Sequence, residues 1–290
     1  MMHRRELLGT ALTIGTASVL KTENAISEDK PKQPKRIVDT NVSLFRWPFR
    51  RLPLDETEKL IGKFRSLGIT QAWAGSYEGV FHRDLTAANA RLAKACKRYP
   101  EFVAVGSVNP LLPSWEEDLR RCTDIHRMPA IRLHPNYHGY TLSDPRLVKL
   151  VKRAASAGRL IQIAVTLEDT RTQHPLMRVP DVNLAPLPKL MREIPAAIVQ
   201  ILNDRPRGPL LNSLAESTQV LFDTARVEAT DGIATLIEKV SSKRVMFGSH
   251  APFLVPEAAL IRTSENELEE EQLQSLLWGN ALRVLKMPNL

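Results

Sequence analysis

The residues of this sequence that could carry out chemistry are polar side chains that follow short apolar segments. Asn41, Arg132, His134, Asn203, Asp223 and His250 stand at the ends of such segments, and the stretch after the fifth segment adds Glu168, Arg171 and His174. Burying so many polar groups without partners would cost about 1–3 kcal/mol each. A purely structural role therefore explains the pattern poorly, and the sequence predicts a ligand site.

Proton transfer is one kind of chemistry that these residues could perform. We expect His250 and His174 to act as catalytic acid or base, because a positioned imidazole can exchange protons near neutral pH. Asp223 would orient one of these imidazoles, and Asp169 is an alternative partner for it. This interpretation requires no metal ion.

Recognition of a small anionic or polar substrate is the binding role that the remaining side chains suggest. Arg132 and Arg171 would hold an anionic group through paired hydrogen bonds. Asn41 and Asn203 would add amide contacts to the same substrate. We therefore expect a small molecule as the partner of this site.

A metal centre is the alternative kind of chemistry. His134, His250 and Glu168 would supply two imidazoles and one carboxylate, which is a sufficient ligand set for an open site that holds a divalent ion such as zinc. If that site is not built, the sequence implies no cofactor.

The elements that must position these residues alternate between strand and helix. Strands are predicted at 36–40, 69–74, 102–109, 130–134, 160–166, 197–203, 220–223 and 244–249, and helices at 55–67, 84–99, 114–126, 144–157, 187–193, 209–217, 231–241, 257–262 and 267–285. Most strands are nearly continuous apolar runs, as parallel strands covered on both faces are. Eight strand–helix units predict an α/β fold, a (β/α)8 TIM barrel, with its site at the carboxyl ends of the strands. The alternative, an open doubly wound sheet, lacks its usual glycine-rich turn.

The loop after the first predicted strand lies near the predicted site. Residues 46–51, RWPFRR, directly follow the first strand and join cations to aromatic rings. They could hold an anionic ligand by stacking and ion pairing. We favour the alternative, that this loop packs over the barrel.

The first 29 residues differ in kind from the rest. Arg4 and Arg5 precede an uncharged stretch at 7–20, which is too short to cross a bilayer and resembles a twin-arginine export signal. Residues 30–35 are polar and contain prolines, so we expect a linker there and the barrel at 36–290. The leader predicts an exported protein of the periplasm or cell envelope, or a cytoplasmic one if it does not function.

Composition excludes several classes of protein. The chain is 43% hydrophobic and 25% charged, which is typical of a globular protein. Its net charge of +8 is accompanied by no nucleic-acid-binding motif, so we expect no nucleic-acid partner and no transmembrane segment. The sequence is also compatible with a homo-oligomer. Cys96 and Cys122 cannot build a disulfide framework, and we expect both thiols to be buried.

Four stretches resemble the amidohydrolase-related (amidohydrolase 2) family, which includes decarboxylases of the aminocarboxymuconate-semialdehyde type. They are IVDTNVSL at 37–44, IRLHP at 131–135, VMFGSHAP at 245–252 and GNALRVL at 279–285. The resemblance covers roughly residues 36–286. It implies a (β/α)8 barrel and a hydrolase, or a lyase such as a decarboxylase.

The metal ligands of that family are replaced in this sequence. The resemblance implies histidines at the positions of Asn41, Ser43 and Asn203, another near Val165 or Thr166, and an aspartate at the position of His250. Hydroxyl and amide oxygens bind zinc weakly. The usual water-activating centre therefore cannot be carried over to this chain.

Three interpretations of the site follow. Other side chains rebuild a metal site, or an enzyme works by acid–base chemistry without metal, or a catalytically inactive barrel binds a ligand or a protein partner. We predict an enzyme, with the inactive barrel as the alternative.

Overall fold

Parallel strands form the inner wall of the molecule, whose computed structural model describes residues 36–205 and 207–285. The strands are β1 (Ile37–Leu44), β2 (Ile69–Ser76), β3 (Phe102–Ala104), β4 (Gly106–Ser107), β5 (Ala130–Leu133), β6 (Leu160–Ala164), β7 (Val199–Leu202), β8 (Val220–Asp223) and β9 (Val245–Met246). The segments β3 and β4 are two parts of one strand, interrupted at Val105. The first part pairs with β2 and the second with β5. The described residues therefore provide eight barrel strands.

Helices follow the strands along the chain. They are α1 (Thr57–Ser66), α2 (Glu78–Phe81), α3 (Leu85–Lys97), α4 (Trp115–Arg120), α5 (Pro135–His138), α6 (Pro145–Ser156), α7 (Leu187–Glu193), α8 (Gly208–Glu216), α9 (Gly232–Val240), α10 (Pro256–Ser264), α11 (Glu270–Gln274) and α12 (Asn280–Leu285). Two π-helical turns, Arg121–Ile125 and Ser275–Gly279, continue α4 and α11, and a 3-10 turn, Ser242–Arg244, precedes β9. The order of elements is that of repeated strand–helix units.

Hydrogen bonds place the first and last barrel strands side by side. The N–H of Thr40 donates to the carbonyl of Phe247, and the N–H of Ser43 donates to the carbonyl of Ala251, both at 2.9 Å. The remaining strands are paired in parallel in the order β1-β2-β3 and β4-β5-β6-β7-β8-β9. The predicted (β/α)8 barrel is confirmed.

The elements differ from the sequence prediction in two respects. The first strand continues through Asn41 and Ser43 to Leu44, because Val42 pairs with Ala74 on one side and with Ala251 on the other. The short helices α2 and α5 were not predicted, since four residues are too few to show a helical period.

Apolar side chains fill the barrel and the space between strands and helices. Six aromatic side chains cover the barrel at the carboxyl ends of the strands. We call them the mouth cluster: Trp47, Phe49, Tyr77, Phe81, Tyr137 and Phe253. Trp47 lies at its centre, with ring centroids 5.0–6.1 Å from those of the other five. Trp47 and Phe49 belong to the loop after β1, so this loop packs over the barrel as favoured from the sequence.

A buried arginine fastens the opposite end of the barrel. Arg244, just before β9, donates to the carbonyls of Val220, Leu214, Ala215 and Ser217 at 2.7–2.8 Å. We call this arrangement the carbonyl clamp. It joins the amino end of β8 to the end of α8, where helix carbonyls lack partners within the helix.

Several sequence predictions concern parts of the chain outside the described residues. The export-like leader at 1–29, the linker at 30–35 and the last five residues of the predicted barrel are among them. Within the described part, no helix is both long and apolar enough to cross a bilayer. Cys96 and Cys122 are free and buried, as expected.

Candidate active site

Three side chains from three strands meet in one hydrogen-bonded group at the carboxyl ends. Nδ2 of Asn41 donates to Oδ1 of Asn203 at 2.7 Å and to Oδ2 of Asp223 at 2.5 Å. The N–H of Asn203 donates to Oδ1 of Asp223 at 3.0 Å. All three residues are buried. We call them the rim network, and they are three of the residues predicted to form the site.

Local backbone features allow the rim network to assemble. Asn203 follows β7 with a left-handed backbone (φ 60°), a conformation that asparagine tolerates better than most residues. Its Nδ2 donates to the carbonyl of Thr166 at 2.8 Å. Gly248 lies so close to the network that a Cβ there would be 2.7 Å from Oδ2 of Asp223 and 3.0 Å from Cβ of Asn41. A larger residue at 248 would therefore displace the network.

Two buried carboxyl groups in this region hold protons at unusually high pH. Burial raises the pKa of Asp223 to about 7, although hydrogen bonds from Asn41 and Asn203 oppose the shift. Burial raises the pKa of Asp39 to about 6, and the N–H groups of Ser249 and Asn41 donate to its Oδ1 at 3.0 and 3.1 Å. Within residues 36–205 and 207–285, the other oxygen of Asp39 has no hydrogen-bond partner. Carboxyl groups that titrate near neutrality are suited to proton transfer.

His250 lies beside this group in a fixed and neutral form. Its Nε2 donates to the carbonyl of Leu167 at 2.7 Å, which leaves Nδ1 as the acceptor of the neutral ring. Burial lowers the pKa of His250 to about 3, and the charges of Arg226 and Arg132 add to that effect. The ring stacks on Phe253 with centroids 5.1 Å apart. Catalysis by His250 stays a prediction, and Asp223 has the more suitable pKa.

A polar layer crosses the barrel interior beneath the rim network. It consists of Arg132, Gln162, Gln200 and Thr40, all buried. Nε of Arg132 donates to Oε1 of Gln162 at 2.9 Å, and Nε2 of Gln162 donates to Oε1 of Gln200 at 2.7 Å. Nε2 of Gln200 in turn donates to Oγ1 of Thr40 at 2.7 Å. The layer therefore links β5, β6, β7 and β1 by side chains.

Arg132 uses its guanidinium within the barrel. Nη1 donates to the carbonyl of Val42 at 2.9 Å and to Oγ of Ser43 at 3.3 Å, and Nη2 donates to the carbonyl of Trp73 at 3.4 Å. Burial lowers the pKa of Arg132 to about 10, so the group stays charged at neutral pH. These protein acceptors already occupy most of the N–H donors of Arg132. Its contact with substrate stays a prediction.

His134 is buried, and neither of its ring nitrogens has a hydrogen-bond partner among the described residues. Burial holds its pKa well below the usual range, so the ring is neutral. His138 lies edge-on to it, with centroids 5.8 Å apart, and its own pKa falls to about 4 for the same reason. Neither imidazole has a hydrogen bond to the rim network.

Glu168 joins two loops over the barrel mouth. Its Oε1 accepts a hydrogen bond from Nε of Arg50 at 2.7 Å, and the carboxylate is almost completely buried. The guanidinium of Arg50 also lies over the ring of Phe253, 5.7 Å from its centroid. The loop after β1 is thus tied to the loop after β6.

His174 and Arg171 lie farther out on the loop that follows β6. His174 is exposed and stacks on Phe49 with centroids 5.7 Å apart. Arg171 is 85% exposed and pairs with Asp169 at 2.9 and 3.0 Å. The structure does not bring either residue to the rim network, and their catalytic and binding roles stay predictions.

Two of the three predicted metal ligands are engaged by other groups of the described chain, and only His134 is not. Glu168 pairs with Arg50, and Nε2 of His250 is bonded to a carbonyl. Across residues 36–205 and 207–285, no group of three or more His, Cys, Asp or Glu side chains is arranged to hold a metal ion. The side chains at the rim therefore do not fit the divalent ion that the rebuilt site would hold.

An open groove borders the rim network between the segments that follow β6, β7 and β8 and the helix α8. Its volume is about 320 Å³, and its lining includes Asn203, Asp204, Arg205, Arg207 and Arg226. A second cavity of about 580 Å³ shares the three arginines and extends toward α9. We call the first cavity the arginine groove.

Sequence reasoning missed several residues of this region. Gln162 and Gln200 lie inside predicted strands, and an interrupted apolar run was the only available signal. Asp39 was not among the chosen site residues although it lies near the end of the predicted first strand. Arg226, three residues after the end of the predicted seventh strand, was likewise not among the chosen residues.

Comparison with known proteins gives the same architecture. A model of the amidohydrolase family matches residues 48–287. No curated protein matches the chain significantly.

Solved structures similar to this chain include aromatic acid decarboxylases. 5-Carboxyvanillate decarboxylase from Sphingomonas paucimobilis superposes with a TM-score of 0.70 at 14% identity, over 87% of this chain and 99% of that one. 2,6-Dihydroxybenzoate decarboxylase from Rhizobium gives 0.67 at 14% identity, over 86% and 99%. 5-Carboxyvanillate decarboxylase from Novosphingobium aromaticivorans, with manganese and 4-hydroxy-3-methoxy-5-nitrobenzoic acid, gives 0.69 at 15% identity, over 87% and 96%.

Proposed function

The chain belongs to the amidohydrolase family, and on that premise we propose that it is a lyase that decarboxylates a small, hydroxylated carboxylic acid at the carboxyl-end face of the barrel. The observation that carries the proposal is the rim network, in which a buried carboxyl group is held by side chains and backbone of two other strands. Hydrolysis of a small anionic substrate is the alternative reaction within the same family.

Decarboxylation needs what Asp223 can supply. When carbon dioxide leaves, the carbon that carried it must receive a proton. The pKa of Asp223 is raised to about 7, so the carboxyl group is about half protonated at neutral pH. In the proposed step Asp223 gives its proton to that carbon, the bond to the carboxylate breaks, and carbon dioxide departs. Asp223 then regains a proton from water.

Similarity to the decarboxylases supports the choice of reaction. Those proteins act on hydroxylated aromatic acids, as their names state. The manganese of the Novosphingobium protein has no counterpart in our mechanism, because the donors at the rim of this barrel do not form a ligand set. We derive no step through a metal ion.

The test is a turnover assay with 2,6-dihydroxybenzoate and 5-carboxyvanillate, following product and carbon dioxide. We expect Asp223→Asn to lower the rate about 100-fold or more, because removal of a general acid typically costs 10²–10⁴. Asp124→Asn is the matched control, since Asp124 is an exposed aspartate on a π-helical turn. Elemental analysis and chelator treatment of the same samples test the independence from metal. An Asp223→Asn enzyme with the wild-type rate would overturn the proposal.

A barrel that binds its ligand without turnover is the second candidate, and the mouth cluster favours it. Six aromatic side chains fill the space above the strand ends where substrates of barrel enzymes usually bind. This candidate predicts that no acid of the panel is converted while one of them raises the melting temperature of the protein.

A further inference from the structure

We propose that the arginine groove, and not the centre of the barrel mouth, holds the acid group of the ligand, and that Arg226 and Arg207 bind it. The ligand class is a small carboxylic acid that also carries hydroxyl groups. That this ligand is a substrate rests on the proposed function. The test of the inference is a binding measurement, which needs no turnover.

Access is the first argument for the groove. The mouth cluster covers the barrel centre, and the ion pair of Arg50 with Glu168 ties two loops over it. The groove is open and reaches the rim network from the side, because Asn203 and Thr166 both belong to its lining. Asn203, which lines the groove, also donates its N–H to Asp223, so a ligand in the groove would lie beside a residue that contacts Asp223.

The state of Arg226 is the second argument. Its side chain is only 12% exposed, and its nearest carboxylate oxygen, on Asp169, is 3.5 Å away. Asp169 is already engaged by both Nε and Nη2 of Arg171. Arg226 therefore keeps donors for an incoming carboxylate, and a planar guanidinium suits such a group because two parallel hydrogen bonds can form.

Arg207 provides a second cation in the groove. It is exposed at the start of α8, and within residues 36–205 and 207–285 no carboxylate lies within ion-pair distance of it. Arg205, the third arginine of the groove, is engaged by Glu228 at 3.0 Å. Arg226 and Arg207 are thus the two arginines with unused capacity.

The acidic residues of the groove define the rest of the ligand. Asp181 and Asp204 line the same cavity and would repel a bare anion. Their oxygens can accept hydrogen bonds from hydroxyl groups, which an acid without hydroxyls cannot donate. The groove should therefore prefer 2,6-dihydroxybenzoate to benzoate, and the adjoining cavity of about 580 Å³ has room for ring substituents.

The experiment is calorimetric titration of the full-length protein with 2,6-dihydroxybenzoate and with benzoate. We expect the dihydroxy acid to bind more tightly, and Arg226→Gln to weaken its binding about 10- to 100-fold, as the loss of a charged hydrogen-bonded pair does. Arg207→Gln should weaken it less, because that side chain is exposed. The exposed Arg192→Gln, which makes the same change of charge on α7, should bind as the wild type does.

Each other outcome bears on the proposal. Unchanged binding in both Arg226→Gln and Arg207→Gln overturns it, as does a wild-type protein that binds neither acid at millimolar concentration. Loss of binding in Arg171→Gln alone would place the acid group on the outer loop instead. Thermal unfolding of each variant shows whether it is folded, and Arg207→Gln keeps the test valid if Arg226→Gln is not. Binding that depends on the groove, together with absent turnover, would leave this inference standing and defeat the proposed decarboxylation.

Discussion

The carbonyl clamp at the amino end of the barrel and a group of polar side chains at the carboxyl end differ in how fully their hydrogen bonds are made. At the amino end, the carbonyl clamp gives the guanidinium of Arg244 four short hydrogen bonds to backbone carbonyls. At the carboxyl end, one oxygen of Asp39, both ring nitrogens of His134 and the hydroxyl of Tyr77 are buried with no hydrogen-bond partner in the part of the chain that the structure describes.

This difference suggests that the clamp serves the stability of the fold, whereas the carboxyl end serves its function. Buried polar groups in proteins are normally paired, because an unpaired one costs about 1–3 kcal/mol. The clamp follows that rule and offers no donor to a ligand. The carboxyl end departs from it, and carboxyl groups with raised pKa values lie in the same region. Unpaired groups that persist are a reason to look for chemistry at that end.

The largest effect on stability should come from the clamp. Arg244→Met leaves four carbonyls without their donor, and we expect the free energy of unfolding to fall by about 3 kcal/mol or more. Denaturant unfolding measures the change. The control is Arg283→Met, an exposed arginine at the same end that donates to the carbonyl of Lys243, which should cost under about 1 kcal/mol. If both variants lose the same free energy of unfolding, the clamp contributes no more to stability than a surface contact does.

The polar layer should respond next. Gln162→Leu removes the acceptor of Arg132 Nε and the donor to Gln200, so we expect a loss of about 2 kcal/mol in unfolding free energy. Gln219→Leu, which breaks one hydrogen bond of 3.3 Å at the surface, is the matched control. A Gln162→Leu protein as stable as the wild type would show that the layer contributes little.

The rim network can be displaced without removing any of its members. In Gly248→Ala the new Cβ would lie 2.7 Å from Oδ2 of Asp223, and overpacking of this kind costs about 1–3 kcal/mol. We expect lower melting temperature and lower turnover together. Gly62→Ala, in α1 with nothing within 4 Å of its new Cβ, should be neutral or slightly stabilising. If the two substitutions behave alike, the close approach at Gly248 is unimportant.

The last expected effect is a dependence on pH. Because burial raises the pKa of Asp223 to about 7 in the folded protein, the unfolded chain loses this proton first, and the free energy of unfolding falls as pH rises from about 4 to about 7. Asp223→Asn does not ionise, but it loses one hydrogen bond to Asn41, worth about 1 kcal/mol. We expect the variant to be the less stable protein at pH 5 and to gain on the wild type toward pH 8. Melting temperatures across this range that run parallel would contradict the raised pKa.

Much of the fold followed from the sequence because its signals are periodic. Apolar runs and helix caps marked the strands and helices within a few residues, and α7 was predicted at its observed bounds. The carboxyl ends of parallel strands lie at one rim, so Asn41, Asn203 and Asp223 could be placed near one another. Their hydrogen bonds required coordinates.

The rest depends on geometry that a pattern of residues does not encode. Gln162 and Gln200 face the barrel interior, but strands buried on both faces give no signal for which side is inward. Arg171 and His174 belong to a long loop whose path is set by packing against Phe49 and the ion pair with Asp169. The fixed form of His250 depends on a carbonyl 83 positions away in the chain.

The polar layer also has a consequence for how the barrel keeps its alignment. Side chains alternate between the two sides of a strand, so sliding β6 or β7 by one position would turn Gln162 or Gln200 away from the interior. Several buried amide and guanidinium groups would then lose their contacts at once. The side-chain hydrogen bonds between β5, β6, β7 and β1 therefore favour one strand register, in addition to the main-chain hydrogen bonds between the strands.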